Sequence, residues 1–251
     1  GCHENYLLRR RRDFREVADA LVAFFVTRQV IVGAGAVKDV DGEAQYCFSP
    51  RADQMWDAIS AATTRSRPII NTRDEPLADA GSYRRLHVIV GDSNIAEPTT
   101  ALKIGATELL LDAVDHGVVL ADLALADPIE AIRIIDRDLT GQVPLAMADG
   151  RKITPVQLQQ QILDRVVATV PPENLTELQL YVLGLWQRTI SAVDAGDWST
   201  IDTEIDFAIK AKLVGAYRER SGLGWDDARV ARLLLAYHDI TGAGLQGRLE
   251  S

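Results

Sequence analysis

The sequence has few of the residues that build disulfide or zinc frameworks. Two of its 251 residues are cysteines, Cys2 and Cys47, and they lie far apart in the chain. Two distant cysteines in a chain of this length form neither a disulfide framework nor a zinc site. We therefore expect both thiols to be reduced, as they are in a cytoplasmic protein.

Long apolar runs and an excess of basic charge are also missing. No stretch reaches the roughly 18 apolar residues that a membrane-spanning helix needs, and no secretory signal opens the chain. Acidic residues outnumber basic ones by 36 to 27, which gives a formal net charge of −9. A nucleic-acid-binding protein needs a basic surface. We therefore expect neither a membrane nor a nucleic acid among the partners.

Apolar residues make up 47% of the chain, and in two segments of its first half they alternate with polar residues. Alternation predicts strands at 1–8 and 83–92. In the second strand Leu86, Val88 and Val90 share one face, which makes that face apolar. The opposite face carries Arg85, His87 and Ile89. The Asp41-Gly42 pair between two apolar runs predicts a hairpin turn, and residues 68–71 form a further extended segment.

Helical spacing dominates the rest of the chain. It predicts helices at 13–28, 51–62, 98–115, 128–137, 154–169, 174–195, 197–220 and 225–238. Asp127 followed by Pro128 gives the fourth of these a typical N-terminal cap. Strands first and helices later predict an α+β protein with a mostly helical second half.

The densest group of polar side chains surrounds the 83–92 strand. Arginines bind phosphate oxygens through paired donors, and histidines with carboxylates hold divalent metals, so the group could form a nucleotide-phosphate site. The same residues could equally form an ion-pair network that pins a loop to the sheet. The group consists of Arg67, Asn71, Arg73, Asp74, Glu75, Asp79, Arg84, Arg85, His87, Asp92 and Asn94.

His3 is a second candidate, because it lies on the first predicted strand beside Glu4 and Asn5. It could be a metal ligand or a hydrogen-bonded core histidine, and the pattern leaves both open. His116 lies at a predicted helix end, where the helix dipole favours a cation, and we interpret it as structural.

Three segments of the chain resemble a known family. They are 1–7 (GCHENYL), 69–76 (IINTRDEP) and 83–92 (YRRLHVIVGD), and their order and separation match as well. Residues 202–206 and 236–240 extend the likeness over nearly the whole chain. The sequence is similar to the family of the Pup ligase and its paralogue, the depupylase/deamidase.

The resemblance implies a glutamine-synthetase-like fold, in which an antiparallel sheet packed with helices forms a cradle for ATP and Mg2+. It places the core of the large domain at 1–240, strand-rich over 1–95 and helical over 96–240. Residues 241–251 would begin a further C-terminal segment.

The implied activity is carboxylate–amine ligation. ATP phosphorylates the side chain of the C-terminal glutamate of Pup, and a lysine of a target protein attacks the acyl phosphate. Metal ions and arginines hold the phosphates and neutralise the charge that develops. The partners are then Pup and target-protein lysines, and the cofactors ATP and Mg2+.

The resemblance also implies roles for individual residues. His3 and His87 would face the metal, while Arg51 and Arg73 would contact phosphate or substrate. Arg85, which shares a strand face with His87, would also contact phosphate or substrate. The paired magnesium-binding glutamates and the catalytic base of the family are expected upstream of Gly1, so no catalytic residue is assigned within the chain.

Other interpretations remain open. Residues 62–68, 202–206 and 236–239 resemble the ligase, whereas 150–152 with 158–159, and 217–220, are closer to the depupylase. A non-catalytic protein that still binds Pup, or a ligase acting on a small amino acid, would also fit. One loop of the family usually reads D-E-P-H-A-D. In this chain Leu77 stands in place of the histidine, which puts any role of that position in doubt.

One prediction follows from the expected upstream position of the glutamates and the base. This polypeptide alone should not ligate Pup to a target protein. A gel-shift assay with ATP, Mg2+, Pup and a lysine-bearing target would test it, and ATP-dependent conjugate formation would contradict it.

Overall fold

The computed structural model describes residues 1–10, 14–62, 66–74 and 79–239. Strands dominate before residue 92 and helices after it, which confirms the α+β class. The strands are β1 (Cys2–Arg9), β2 (Ala36–Val40), β3 (Glu43–Cys47), β4 (Asp57–Ser60), β5 (Pro68–Asn71), β6 (Tyr83–Gly91), β7 (Leu145–Ala146) and β8 (Lys152–Ile153). The helices are α1 (Phe14–Thr27), α2 (Gln29–Val32), α3 (Glu97–Asp115), α4 (Pro128–Arg137), α5 (Pro155–Thr169), α6 (Glu177–Ala195), α7 (Asp206–Ser221) and α8 (Ala228–Tyr237).

The main sheet has the strand order β1-β6-β5-β4. The β1–β6 and β5–β6 pairs are antiparallel, and β4 runs parallel to β5. The alternation in β6 sets its two faces: Leu86, Val88 and Val90 are all buried in the apolar core, as predicted. Arg85 and His87 therefore lie on the opposite face, where Arg85 is partly exposed and His87 is 7% exposed.

One apolar core joins the sheet to the helices. A continuous cluster of buried residues extends from Leu8 to Ala208. Within it the ring of Trp186 on α6 lies 5.7 Å from that of Phe24 on α1, and its indole N–H donates to Gln159 of α5 at 3.0 Å. The helices of the second half thus pack on the helix that covers the sheet. Within the described ranges, no helix is both long and apolar enough to cross a membrane.

Local signals set several helix boundaries. The Asp127 side chain accepts hydrogen bonds from two backbone N–H groups of the first turn of α4, as its position predicts. Thr154 and Thr176 open α5 and α6 with capping boxes. Gly196 ends α6 with a φ of 65°, a left-handed conformation that glycine adopts without strain. Turns follow Gly196, so α7 begins at Asp206 rather than at the predicted residue 197.

Two further secondary-structure predictions were wrong. Residues 51–62 are not a helix, since a short 3₁₀ turn, Ala52–Gln54, leads into β4. The parallel pairing of β4 with β5 overrides the local helical spacing. After residue 127 the chain is not entirely helical either, because β7 and β8 form a small antiparallel pair. Strands of two residues are too short to show a periodicity. The hairpin turn at Asp41-Gly42 is present between β2 and β3.

A buried ion pair ties β1 to the helices behind it. Glu4 and Arg28 are 4% and 2% exposed. The two terminal nitrogens of Arg28 donate to the two carboxylate oxygens of Glu4 at 2.8 and 2.7 Å. Thr107 of α3 accepts a further bond from Arg28, and Tyr6 donates to Glu4. Burial opposes ionisation of Glu4, but the adjacent guanidinium outweighs it and holds the pKa of this carboxyl below its usual range.

Arg28→Met should destabilise the fold strongly, because it leaves the Glu4 carboxylate buried without its counter-ion. Breaking a buried pair in this way costs about 3–5 kcal/mol in the free energy of unfolding. Urea denaturation followed by circular dichroism measures it. Glu4→Gln combined with Arg28→Met removes both charges and should recover part of the loss. A loss below about 1 kcal/mol, the range of a surface pair, would contradict this account.

Candidate functional site

The face of the main sheet that points away from the core collects the candidate residues. The antiparallel register places Asn5 of β1 opposite His87 of β6, so the odd-numbered side chains of both strands share this open face. His87 Nε2 lies 3.3 Å from His3 Nδ1, with ring centroids 5.2 Å apart. The two histidines predicted to face a metal therefore contact each other.

Two arginines border the histidine pair. Arg85 Nε donates to the Asn5 side chain at 2.7 Å, and Arg51 Nε donates to the Ile89 carbonyl oxygen at 3.1 Å. Both arginines lie close enough to His3 to affect its titration. The fold thus gathers His3, His87, Arg51 and Arg85 on one surface.

Arg73 lies just beyond the end of β5. Its backbone N–H donates to the Asn71 side-chain oxygen at 2.9 Å. Asn71 is fully buried and lies opposite His87 in the sheet register. The buried amide therefore anchors the Arg73 backbone just past the strand position that lies opposite His87. The roles assigned to the five candidate residues remain predictions.

The environment keeps both imidazoles neutral at neutral pH. Burial, then the positive charge of Arg51, the N-terminus and Arg85, lower the pKa of His3. Burial, Arg85 and His3 lower the pKa of His87 to about 4. A neutral imidazole keeps a lone pair on one nitrogen, which can bind a metal or accept a hydrogen bond.

The histidine pair by itself does not make a magnesium site. Among the described residues there is no group of three or more histidine, cysteine, aspartate or glutamate side chains that could hold a metal. Magnesium prefers oxygen ligands in octahedral geometry. His3 and His87 could therefore contribute to a metal site only together with oxygen ligands from outside this group. The neighbouring guanidinium groups match an anion such as phosphate more directly.

Four more residues of the predicted polar group fall into two sets. Asp74 pairs with Arg10 and Arg84, which pins the loop after β5 to the end of the sheet. This is the ion-pair network that the sequence left open. Asp92 and Asn94 point inward instead, and Lys103 donates to the Asp92 carbonyl oxygen and to the Asn94 side chain. Glu75 and Leu77 lie outside the described residues.

Two of the residues that support Arg51, Ser49 and Asp136, were not among the candidates predicted from the sequence. The hydroxyl of Ser49 accepts from the Arg51 backbone N–H at 3.1 Å and donates to Asp92 at 2.9 Å. Asp136 of α4 accepts from the Ser49 backbone N–H at 2.7 Å and pairs with Lys38. These residues come from separate parts of the chain, and no local spacing links them.

Known proteins match the chain over its full length. The family model described as Pup-ligase protein covers residues 1–251. The chain belongs to the Pup-ligase family. A "Pup--protein ligase" of Jonesia denitrificans is 52% identical over 255 residues, which cover 100% of this chain and 55% of that protein. A protein of the same name from Xylanimonas cellulosilytica is 52% identical over 246 residues, 96% of this chain and 54% of its own length.

Solved structures of the Pup-ligase family share the fold. The Pup ligase PafA in complex with ADP matches with a TM-score of 0.90 and 44% identity. PafA in complex with Pup matches with a TM-score of 0.89 and 42% identity. Both matches cover all of this chain, but 56% and 52% of the solved chains. The chain thus spans about half the length of these Pup-ligase relatives.

His87 should make the stability of this chain depend on pH. The pKa of His87 is about 4 in the folded chain, against an ordinary value of 6.5. The unfolded chain therefore takes up the proton first, and the free energy of unfolding should fall as the pH drops from 6.5 towards 4. His87→Gln removes this contribution and should flatten that slope, as measured by urea unfolding at several pH values.

The matched control is His116→Gln, which removes an exposed imidazole at the C-terminal end of α3. If the free energy of unfolding of His87→Gln falls with decreasing pH as steeply as that of the parent chain, the lowered pKa assigned to His87 is contradicted.

Proposed function

We propose that this chain supplies the phosphate-binding sheet face of an ATP-dependent ligase that joins the C-terminal glutamate side chain of Pup to a lysine of a target protein. The observation that carries the proposal is the contact of His3 with His87 on an open sheet face bordered by Arg51 and Arg85. Membership of the Pup-ligase family, and the ADP bound to a solved relative, support the nucleotide.

The arginines would bind and orient the transferred phosphate. Guanidinium groups pair with phosphate oxygens and neutralise the charge that develops as the phosphoryl group moves. Arg51 and Arg85 have fixed anchors, the Ile89 carbonyl oxygen and the Asn5 side chain. Because the anchors fix both side chains before the nucleotide binds, little reorganisation is needed during the reaction.

The histidines would act as neutral ligands. Their lowered pKa keeps a lone pair available near neutral pH. Magnesium, when bound, would neutralise phosphate charge. His3 and His87 are the residues of this chain that would help to hold it, together with oxygen ligands from the phosphates and from the rest of the protein.

The comparisons favour ligation over the alternatives. The relatives from Jonesia denitrificans and Xylanimonas cellulosilytica are both named Pup–protein ligases, which favours a ligase over the depupylase. The solved complex of a relative with Pup favours Pup over a small amino acid as the carboxylate substrate. A protein that binds Pup without nucleotide chemistry is the remaining alternative, and nucleotide binding separates it from the ligase.

Isothermal titration of ADP and of magnesium–ATP into the chain tests the nucleotide site. We expect saturable binding, weakened about tenfold or more in His87→Ala, which corresponds to about 1.4 kcal/mol. His116→Ala is the matched control and should bind like the parent chain. If the intact chain binds neither nucleotide, the sheet face is no phosphate site in this chain, and the non-catalytic alternative is favoured.

A further inference from the structure

Arg51 lies on a loop rather than on a strand of the sheet. It precedes the 3₁₀ turn Ala52–Gln54, between β3 and β4. Side chains on loops need supporting hydrogen bonds to stay within the narrow tolerance of a binding site. The contacts beneath Arg51 therefore bear on how well the open sheet face can bind an anion.

A chain of hydrogen bonds runs from Arg51 into the core. The Arg51 backbone N–H donates to the Ser49 hydroxyl at 3.1 Å, and that hydroxyl donates to Asp92 Oδ1 at 2.9 Å. Asp92 Oδ2 accepts from the Ala34 backbone N–H at 3.0 Å. Ser49 and Asp92 are 4% and 5% exposed, so water is a poor substitute for these bonds.

The same serine is held from a second side. Its backbone N–H donates to Asp136 Oδ1 at 2.7 Å, and Asp136 is itself paired with Lys38 at 2.7 Å. Lys103 fixes the other end by donating to the Asp92 carbonyl oxygen at 2.9 Å. The serine and the aspartate are thus anchored independently of Arg51, which lets them position it.

Few other contacts restrain Arg51. Its Nε–H bonds to the Ile89 carbonyl oxygen at 3.1 Å, and its own carbonyl oxygen accepts from Gln54 in the 3₁₀ turn at 2.9 Å. The bond to Gln54 is made by the Arg51 backbone, so it does not by itself fix the direction of the guanidinium. The bond to Ile89 forms only if the backbone at Arg51 is held at the right place.

We propose that Ser49 and Asp92 are positioning residues that hold the Arg51 guanidinium beside His3 on the open sheet face. They act through the Arg51 backbone and touch no substrate. That Arg51 then binds a phosphate rests on the proposed function, whereas its positioning does not.

Side-chain NMR of the full chain tests the proposal directly. The exchange of the Arg51 Nε–H with solvent reports the bond to Ile89, since a hydrogen-bonded proton exchanges slowly. Burial raises the pKa of Asp92 to about 6, so a measurement at pH 7 finds this carboxylate mostly ionised. Ser49→Ala and Asp92→Asn should each speed the exchange about tenfold or more, because Ser49→Ala removes the acceptor of the Arg51 backbone N–H, and Asn can accept only one of the two bonds that Asp92 accepts.

Two controls separate positioning from general destabilisation. Ser49→Thr keeps the hydroxyl and should exchange at the parent rate. Ser191→Ala removes a serine hydroxyl on the exposed side of α6 and should also leave the rate unchanged. Parent-like exchange in a folded Ser49→Ala or Asp92→Asn chain would overturn the proposal, even if the melting temperature falls.

Titration of ADP and of adenosine distinguishes this inference from the proposed function. Ser49→Ala should weaken ADP binding about tenfold and leave adenosine binding unaffected, because Arg51 would contact only the phosphates. Absence of ADP binding to the parent chain counts against the proposed function, and the exchange measurement still decides the positioning. Faster Arg51 exchange without weaker ADP binding would support the positioning and remove Arg51 from the phosphate contacts.

Discussion

The buried pair of Glu4 and Arg28 determines which face of β1 carries the candidate site. Side chains alternate along a strand, so a shift of one residue would turn His3 into the core and Glu4 out of it. Such a shift would leave Arg28 buried without a counter-ion, at a cost of about 3–5 kcal/mol. Gly91 of β6 contributes, because a side chain there would collide with the Glu4 carboxylate. The Glu4–Arg28 pair on the core side of the sheet thus fixes the contact of His3 with His87 on the opposite face.

The charge of the open face differs from that of the whole molecule. The chain carries a net charge of −9, yet arginines border the histidine pair. Because burial and the neighbouring guanidinium groups lower the pKa of both imidazoles, the positive charge of this pair's surroundings at neutral pH comes from arginine rather than from histidine. The arginines can bind an anion while the neutral His3 and His87 keep a lone pair for a metal. A protonated imidazole has no such lone pair.

The sequence predicted those parts of the molecule that depend on local pattern. The alternation in β6 gave the faces of the sheet correctly, and Asp127 gave the start of α4. The prediction of a helix at 51–62 was wrong, because part of this helical pattern, β4, pairs with β5 as a strand. The contacts beneath Arg51 could not be predicted, because Ser49 is 43 residues from Asp92 and 87 from Asp136, and chain separation of this kind has no local signal.

The same contacts show that the helical half takes part in the site. Asp136 belongs to α4, well after the residues of the sheet, yet it holds the loop that carries Arg51. Arg28 reaches Thr107 of α3 in a similar way, and so ties β1 to the helices. The helices thus hold both the strand of His3 and the loop of Arg51. Strands and helices therefore share one core, although the chain changes from mostly strands to mostly helices near residue 95. Substitutions in α3 and α4 that loosen these bonds would therefore disturb the sheet face without touching it.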